Sequence, residues 1–187
     1  IPLVRHIPNM KIAHPRNPNE AYELLNYAFK NNTNPFVIRY ERGSEIVDLT
    51  TPITDKIATL NWDVIHEGND IIFISFGSML DKIIKAVKAE NISMKVVNAK
   101  FIKPLDTKLI NELISLNKPI IVYEESCKLG GFGSSILEYL VDQQLSTTNI
   151  HLMGKSDEYV SHGTKDELLK ELKIDINSII DKTKELI

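Results

Sequence analysis

Arginine is scarce in this chain, and two of its arginines stand close together. Of the 22 basic residues only four are arginine, and the others are lysine. A planar guanidinium binds a phosphate or a carboxylate through paired hydrogen bonds, whereas a lysine ammonium acts as a point charge. Arg39 lies in an apolar, β-branched segment, and Arg42 follows it just before Gly43. This pattern indicates an anion-binding arginine where a strand ends, with a salt bridge between two domains as the alternative.

Three other segments carry polar or glycine residues that could do chemistry. The Gly77-Ser78 turn precedes a helical pattern and could bind an anion through free backbone amides, or it could be an ordinary helix cap. Glu124 and Glu125 leave an apolar strand together, which suits either an acid or base or a surface salt bridge. The glycine-rich stretch from Gly130 to Ser134 lacks the spacing of a nucleotide-binding loop. We expect it to allow close packing of a helix start.

The remaining reactive residue types indicate structural roles. Cys127 is the single cysteine and has no evident base partner, so we interpret it as a packing residue. The His14-Pro15 pair is most simply the end of a strand. Four further histidines show no metal-ligand spacing to one another or to carboxylates, so no metal site is expected: His6, His66, His151 and His162.

Strand-like and helix-like patterns alternate along the chain and predict an α/β fold. The first unit is a strand over 10–13, a helix beginning near Pro18 and a strand over 36–40. An extended connection follows. Continuous apolar strands between helices then predict a mostly parallel sheet covered by helices on both faces. The predicted strands are 62–66, 71–75, 94–99, 119–124 and 150–152, and the predicted helices are 79–89, 107–116, 134–143, 165–172 and 176–185.

Composition excludes several classes of protein. The chain has 187 residues, 43% of them hydrophobic, and a formal net charge of -3, which gives no basic surface for nucleic acid. No apolar stretch reaches the roughly 18 residues of a membrane helix. One cysteine cannot form an intramolecular disulfide. The chain begins at Ile1 without an initiator Met, so we expect a fragment or a processed piece.

Several motifs in the same order resemble one family. They are Ile7-Pro8-Asn9-Met10, Ile38-Arg39-Tyr40-Glu41-Arg42-Gly43, the run from Val97 to Asp106, Val122-Tyr123-Glu124-Glu125 with the Gly130–Ser134 turn, and Ser161-His162-Gly163-Thr164. Together they closely resemble the C-terminal third of 1-deoxy-D-xylulose-5-phosphate synthases, which are transketolase-like thiamine-diphosphate enzymes.

The resemblance implies a domain organisation and a reaction. Residues 1–45 would be the C-terminal part of a pyrimidine-binding domain, 46–60 a linker and 61–187 a transketolase C-terminal domain. The family condenses pyruvate with D-glyceraldehyde 3-phosphate and releases carbon dioxide, in non-mevalonate isoprenoid biosynthesis and in the supply of thiamine and pyridoxal precursors.

The resemblance also assigns roles to residues. Arg42 matches the second arginine of the family's Arg-Tyr-Pro-Arg-Gly stretch and would bind the phosphate of the acceptor aldehyde, with Arg39 as a weaker candidate. Glu41 stands where the family usually has proline. Residues that bind thiamine diphosphate and Mg²⁺, and the catalytic residues, would lie upstream. We therefore expect the fragment alone to be inactive, with Glu124, Glu125 and the Gly130–Ser134 turn in structural or interdomain roles.

The implied partners are the missing N-terminal domains and, in a homodimer, a second copy. The compartment would be the bacterial cytoplasm, or the plastid if the source is apicomplexan. Three alternatives stay open: a transketolase, the β subunit of a 2-oxo acid dehydrogenase, and a non-catalytic assembly module derived from such a domain.

Overall fold

The computed structural model describes residues 1–30, 33–41 and 59–187. The first part of the chain forms α1 (Pro2–Arg5), β1 (Lys11–Ala13), α2 (Pro18–Lys30) and β2 (Phe36–Ile38). The second part begins with β3 (Asp63–His66), β4 (Ile71–Ser75), α3 (Met79–Ala89), β5 (Met94–Asn98) and β6 (Phe101–Lys103). It continues with α4 (Thr107–Ser115), β7 (Ile120–Cys127), α5 (Phe132–Asp142), β8 (Ile150–Lys155), α6 (Lys165–Glu171) and α7 (Ile176–Leu186).

A five-stranded sheet organises the second part. Its order is β3-β5-β4-β7-β8, and every pair of neighbours is parallel except β3 and β5. Alternate residues of the inner strands point to opposite faces, where they meet different helices. On one face Ile72 and Val122 pack with α4 and α5, and on the other Phe73 and Tyr123 pack with α3, α6 and α7. The prediction of a mostly parallel sheet covered on both faces is confirmed.

A smaller sheet joins the first part of the chain to the second. Its order is β2-β1-β6, with β1 parallel to β2 and antiparallel to β6. Helix α2 makes the crossover between the two parallel strands, and Leu24 and Tyr27 on it pack against Phe101 of β6. Ile12 of β1 belongs to the core on the α4 and α5 face of the larger sheet. The two parts therefore share hydrophobic core.

Local signals set several helix starts. Pro18 opens α2, and the Asn17 side chain accepts a hydrogen bond from the Glu20 amide at 2.9 Å, as an N-cap does. Asp175 caps α7 in the same way, through the Ser178 amide at 3.3 Å. Among the described helices, none is long and apolar enough to cross a membrane.

Candidate functional site

The larger sheet has a crevice where its strand order reverses. Strand β5 lies on one side of β4 and β7 on the other, so the connections that leave β4 and β5 run in opposite directions. Ligands of open α/β sheets bind at such a point, beyond the carboxyl ends of the strands. Ser75 at the end of β4 donates a hydrogen bond to the Tyr123 carbonyl at 3.0 Å, which holds β4 and β7 together there. A cavity of about 560 Å³ opens beyond these strand ends.

The first part of the chain contributes to the same cavity. Its polar lining includes His14 from the end of β1, and Arg39 and Glu41 from the end of β2. Glu125 of β7, Lys155 of β8 and Lys165 of α6 line it from the second part. The fold thus brings one predicted binding residue, Arg39, and one predicted polar residue, Glu125, to a single site. Arg42, and residues 46–58 of the predicted linker, lie outside the described residues.

Glu41 occupies the turn that the sequence offers as an anion site. Its carboxylate accepts a hydrogen bond from the Ser78 amide at 2.9 Å and another from the Ser78 hydroxyl at 2.8 Å. Gly77 makes this approach possible, because a Cβ there would lie 2.8 Å from Glu41 Oε1. Gly77 also has a φ of +79°, which favours glycine. The Gly77-Ser78 turn therefore receives an anion, and that anion is the chain's own carboxylate.

Lys165 completes the contacts of Glu41. Its Nζ lies 2.7 Å from Glu41 Oε2 and 2.8 Å from Glu125 Oε2, so one ammonium bridges two carboxylates. Burial by itself raises the pKa of Glu41, but the hydrogen bonds from Lys165 and Ser78 outweigh it and lower that pKa to about 2. Burial lowers the pKa of Lys165, and the two carboxylates raise it further than burial lowers it. Glu41 and Lys165 are therefore both charged near neutral pH.

His14 is a buried neutral imidazole that contacts Arg39. Burial and the nearby guanidinium lower the pKa of His14 to about 4. Arg39 Nη1 lies 3.2 Å from His14 Nδ1, and because a guanidinium can only donate, Nδ1 accepts and Nε2 carries the proton. The ring packs on Phe76 with centroids 5.0 Å apart. His14 thus orients one side of Arg39 at the end of β2.

Glu124 has a structural role. Its side chain is buried and accepts hydrogen bonds from the amides of Phe132 at 3.1 Å and Gly133 at 3.0 Å, and from the Ser126 hydroxyl at 2.6 Å. These amides form the first turn of α5, so Glu124 supplies a negative charge to that helix N-terminus. Gly131 lacks a Cβ where one would lie 2.4 Å from Glu124 Oε2. The glycine-rich turn therefore allows a close approach, and among the described residues Glu124 forms no salt bridge.

Sequence reasoning missed the contributions of Glu41, Lys165, Lys155 and His14. The signal available for Glu41 was its position between two arginines at a strand end. Lys165 follows the capping residue Thr164 of α6, a context that indicates helix capping and no binding role. Among residues 1–30, 33–41 and 59–187, no three histidine, cysteine or acidic side chains come together to hold a metal ion.

Comparison with known proteins agrees with the architecture. Residues 60–179 match the family model described as transketolase, C-terminal domain. A solved structure described as a split-gene transketolase, an inactive β4 tetramer, superposes with a TM-score of 0.81 and 23% identity over 99% of this chain and 60% of its own. At that identity the likeness concerns the fold alone.

Three curated relatives resemble the chain more closely in sequence. Each is a 1-deoxy-D-xylulose-5-phosphate synthase. The one from Macrococcus caseolyticus is 37% identical over the whole chain, and the one from Geobacillus sp. strain WCH70 is 35% identical over the whole chain. The one from Lysinibacillus sphaericus is 35% identical over 92% of it. The chain spans about 30% of the length of these relatives.

The two sheets, the crevice and the family match define the class: the chain belongs to the transketolase C-terminal domain family. Within this class of transketolase-like proteins, its sequence is similar, at 35–37% identity, to about 30% of the length of 1-deoxy-D-xylulose-5-phosphate synthases. The resemblance noted from the motifs is confirmed.

Proposed function

We propose that this chain is part of a 1-deoxy-D-xylulose-5-phosphate synthase, which joins pyruvate to D-glyceraldehyde 3-phosphate with loss of carbon dioxide. Residues 1–45 are the end of the pyrimidine-binding domain, 46–60 the linker and 61–187 the transketolase C-terminal domain. The relatives of the preceding section carry the name of this enzyme, and the chain aligns with them along its length. The chain alone is expected to be inactive.

The observation that carries this proposal is the position of the segment that follows β2. Arg39 at the strand end lines the crevice, and Glu41 two residues later contacts the start of α3. Arg42 comes next in the sequence. In the proposal Arg42 binds the acceptor phosphate through its guanidinium fork, and Arg39, which already donates to His14, plays a smaller part.

Thiamine diphosphate and Mg²⁺ belong to the proposal as cofactors of the whole enzyme. The described residues do not offer a ligand set for the metal, since no suitable cluster forms among them. The proposal therefore places both on the upstream domains. Thiamine diphosphate supplies the carbanion chemistry when bound. The residues of this chain bind and orient the acceptor and pack against the domain that holds the cofactor.

The proposed partners are the upstream domains, the two substrates and a second copy in a homodimer. The compartment is the bacterial cytoplasm. The three relatives are bacterial proteins, which favours this compartment over a plastid.

The substitution Arg42→Ala tests the proposal in the whole enzyme, with thiamine diphosphate and Mg²⁺ present. Loss of a charged hydrogen bond to phosphate costs about 1.5–3 kcal/mol. The KM for D-glyceraldehyde 3-phosphate is therefore expected to rise roughly 10- to 150-fold, with a smaller change for pyruvate. Carbon dioxide release from labelled pyruvate measures both.

The matched control is Arg16→Ala, which removes an arginine from the loop before α2. It is expected to leave both KM values within about twofold. Carbon dioxide release that does not depend on the concentration of D-glyceraldehyde 3-phosphate would favour the 2-oxo acid dehydrogenase alternative. No release from a folded whole protein would favour the assembly module.

A further inference from the structure

We infer that Glu41 is a positioning residue for the acceptor phosphate and that Lys165 neutralises it. The inference rests on the proposed function. In this inference Glu41 does not bind the phosphate: its carboxylate holds the segment after β2 against two elements of the C-terminal domain. The residues on either side of this fixed point include both candidate arginines, Arg39 and Arg42.

The first step of the argument is geometric. Glu41 is the last described residue before Arg42, and its side chain contacts both the first turn of α3 and the first residue of α6. One carboxylate with three hydrogen bonds therefore links the first part of the chain to two separate helices. Its side chain is 27% exposed, so the carboxylate is half-buried and water reaches part of it. These contacts hold the end of the described segment, and Arg42 follows it in the sequence.

The second step is electrostatic. A carboxylate two residues from one arginine and adjacent to another would repel an incoming phosphate and would compete for their guanidinium groups. Lys165 at 2.7 Å balances that charge, and its second contact, with Glu125 at 2.8 Å, holds the ammonium in place. The Ser78 amide and hydroxyl also bind the carboxylate. Glu41 thus orients the segment without presenting a free negative charge to the ligand.

The two steps predict effects of different size for substitutions of Glu41 and of Lys165. Glu41→Gln keeps the size of the side chain but loses the ion pair, so the segment is held less firmly. Lys165→Met keeps the carboxylate and leaves its charge unbalanced beside the phosphate site. The single lysine variant should therefore impair phosphate binding more than the double variant Glu41→Gln/Lys165→Met, in which only the Glu125 carboxylate loses its ion pair.

The experiment measures KM and kcat of the whole enzyme with two acceptors. One is D-glyceraldehyde 3-phosphate and the other is D-glyceraldehyde, which lacks the phosphate. For the phosphorylated acceptor we expect KM to rise about fivefold in Glu41→Gln and about 20-fold in Lys165→Met. The double variant is expected to fall between these two values, because Glu125 still lacks its ion pair. We expect kcat, KM for pyruvate and KM for D-glyceraldehyde to stay within about twofold.

The control is Glu112→Gln, which removes an exposed carboxylate on α4 and should change none of these constants. Equal loss with both acceptors would show a general structural role and overturn the inference, as would a double variant worse than Lys165→Met. Unchanged KM in both single variants would overturn it too. Thermal unfolding of each variant identifies any that fails to fold. Glu41→Gln is nearly isosteric with wild type, so it still tests the inference if another variant does not fold.

A different result would refute the proposed function itself. A wild-type enzyme whose carbon dioxide release does not depend on D-glyceraldehyde 3-phosphate would refute the synthase itself, before any variant is made. A wild-type enzyme that does depend on it, with variants that behave like the control, would refute only the role of Glu41 and Lys165.

Discussion

Glu124 and Glu41 each place a carboxylate on the N-terminus of a helix, beside a glycine that leaves room for it. Glu124 meets the start of α5 and Glu41 meets the start of α3. A Cβ on Gly131 would collide with Glu124, and one on Gly77 would collide with Glu41. Both helix starts are thus neutralised by side chains of the chain itself. The surroundings of the two carboxylates differ.

The surroundings assign the two carboxylates to different tasks. Glu124 is 2% exposed, lies within the C-terminal domain and makes its contacts with amides and a hydroxyl. Glu41 comes from the other part of the chain, keeps access to water and pairs with a lysine. Removing Glu124 would leave buried donors without partners, whereas removing Glu41 would leave donors that water can reach. We therefore expect Glu124 to stabilise the domain and Glu41 to orient the segment between domains.

Glu124→Ala gives the largest expected effect. It leaves the amides of Phe132 and Gly133 without their partner in a buried place and opens a cavity. The expected loss is about 3–5 kcal/mol of unfolding free energy. Urea unfolding followed by circular dichroism measures it. The comparison would collapse if Glu41→Ala cost as much, and we expect about 2 kcal/mol for that variant.

The free energy of unfolding at acid pH gives a second test of the comparison between Glu41 and Glu124. The pKa of Glu41 in the folded protein is about 2, below its ordinary value of 4.5. A carboxyl with a lowered folded pKa stabilises the protein above its unfolded pKa and loses that contribution as pH falls towards the folded pKa. We expect wild type to exceed Glu41→Gln by about 2 kcal/mol above pH 5, and the difference to shrink steadily below pH 4.5.

The subtraction matters because His14 also titrates in acid. Its pKa of about 4 lies below the ordinary value, so the folded state loses stability as pH falls from about 6.5 towards 4 in both proteins. Taking the difference between wild type and Glu41→Gln removes the part of this loss that the two proteins share. Glu41 itself raises the pKa of His14, so the variant loses this contribution down to a lower pH than wild type does. A difference that stays constant from pH 6 to 3 would contradict the ion pair as the source of the Glu41 contribution.

Local patterns predicted much of the fold because they depend on neighbours in sequence. The strand Ile71–Ser75 and the helix Met79–Ala89 begin and end where the apolar spacing places them. Strand β6 escaped notice because it has three residues and its partner β1 lies about 90 positions earlier. Strand β7 runs three residues beyond its predicted end because polar side chains there mask an extended backbone.

The candidate site was less accessible to sequence reasoning, since it is made by tertiary contacts. From its sequence the Gly77-Ser78 turn is either an anion site or an ordinary helix cap, and the anion that it binds comes from 37 positions earlier. The Lys165 that balances this anion comes from 124 positions after it. Local sequence patterns do not predict contacts between residues so far apart in the chain. Composition alone does not distinguish Lys165 from the other exposed lysines. The motif order, by contrast, identified the family because it compares the whole chain at once.

Gly77→Ala gives the smallest expected effect, a coupling of about 1 kcal/mol with Glu41, and tests how closely the Glu41 carboxylate approaches the turn. Alanine at a φ of +79° costs about 1 kcal/mol, and its Cβ would also displace the Glu41 carboxylate. We expect a loss of about 2 kcal/mol in wild type and about 1 kcal/mol in a Glu41→Ala background, measured by urea unfolding. Gly130→Ala is the matched control, because Gly130 has a φ of +65° and its Cβ would meet Pro2 at an ordinary 3.6 Å. Its cost of about 1 kcal/mol should not depend on Glu41. If Gly77→Ala were equally insensitive to Glu41, the glycine would serve the backbone alone, and the resemblance between the two helix starts would be confined to their charge.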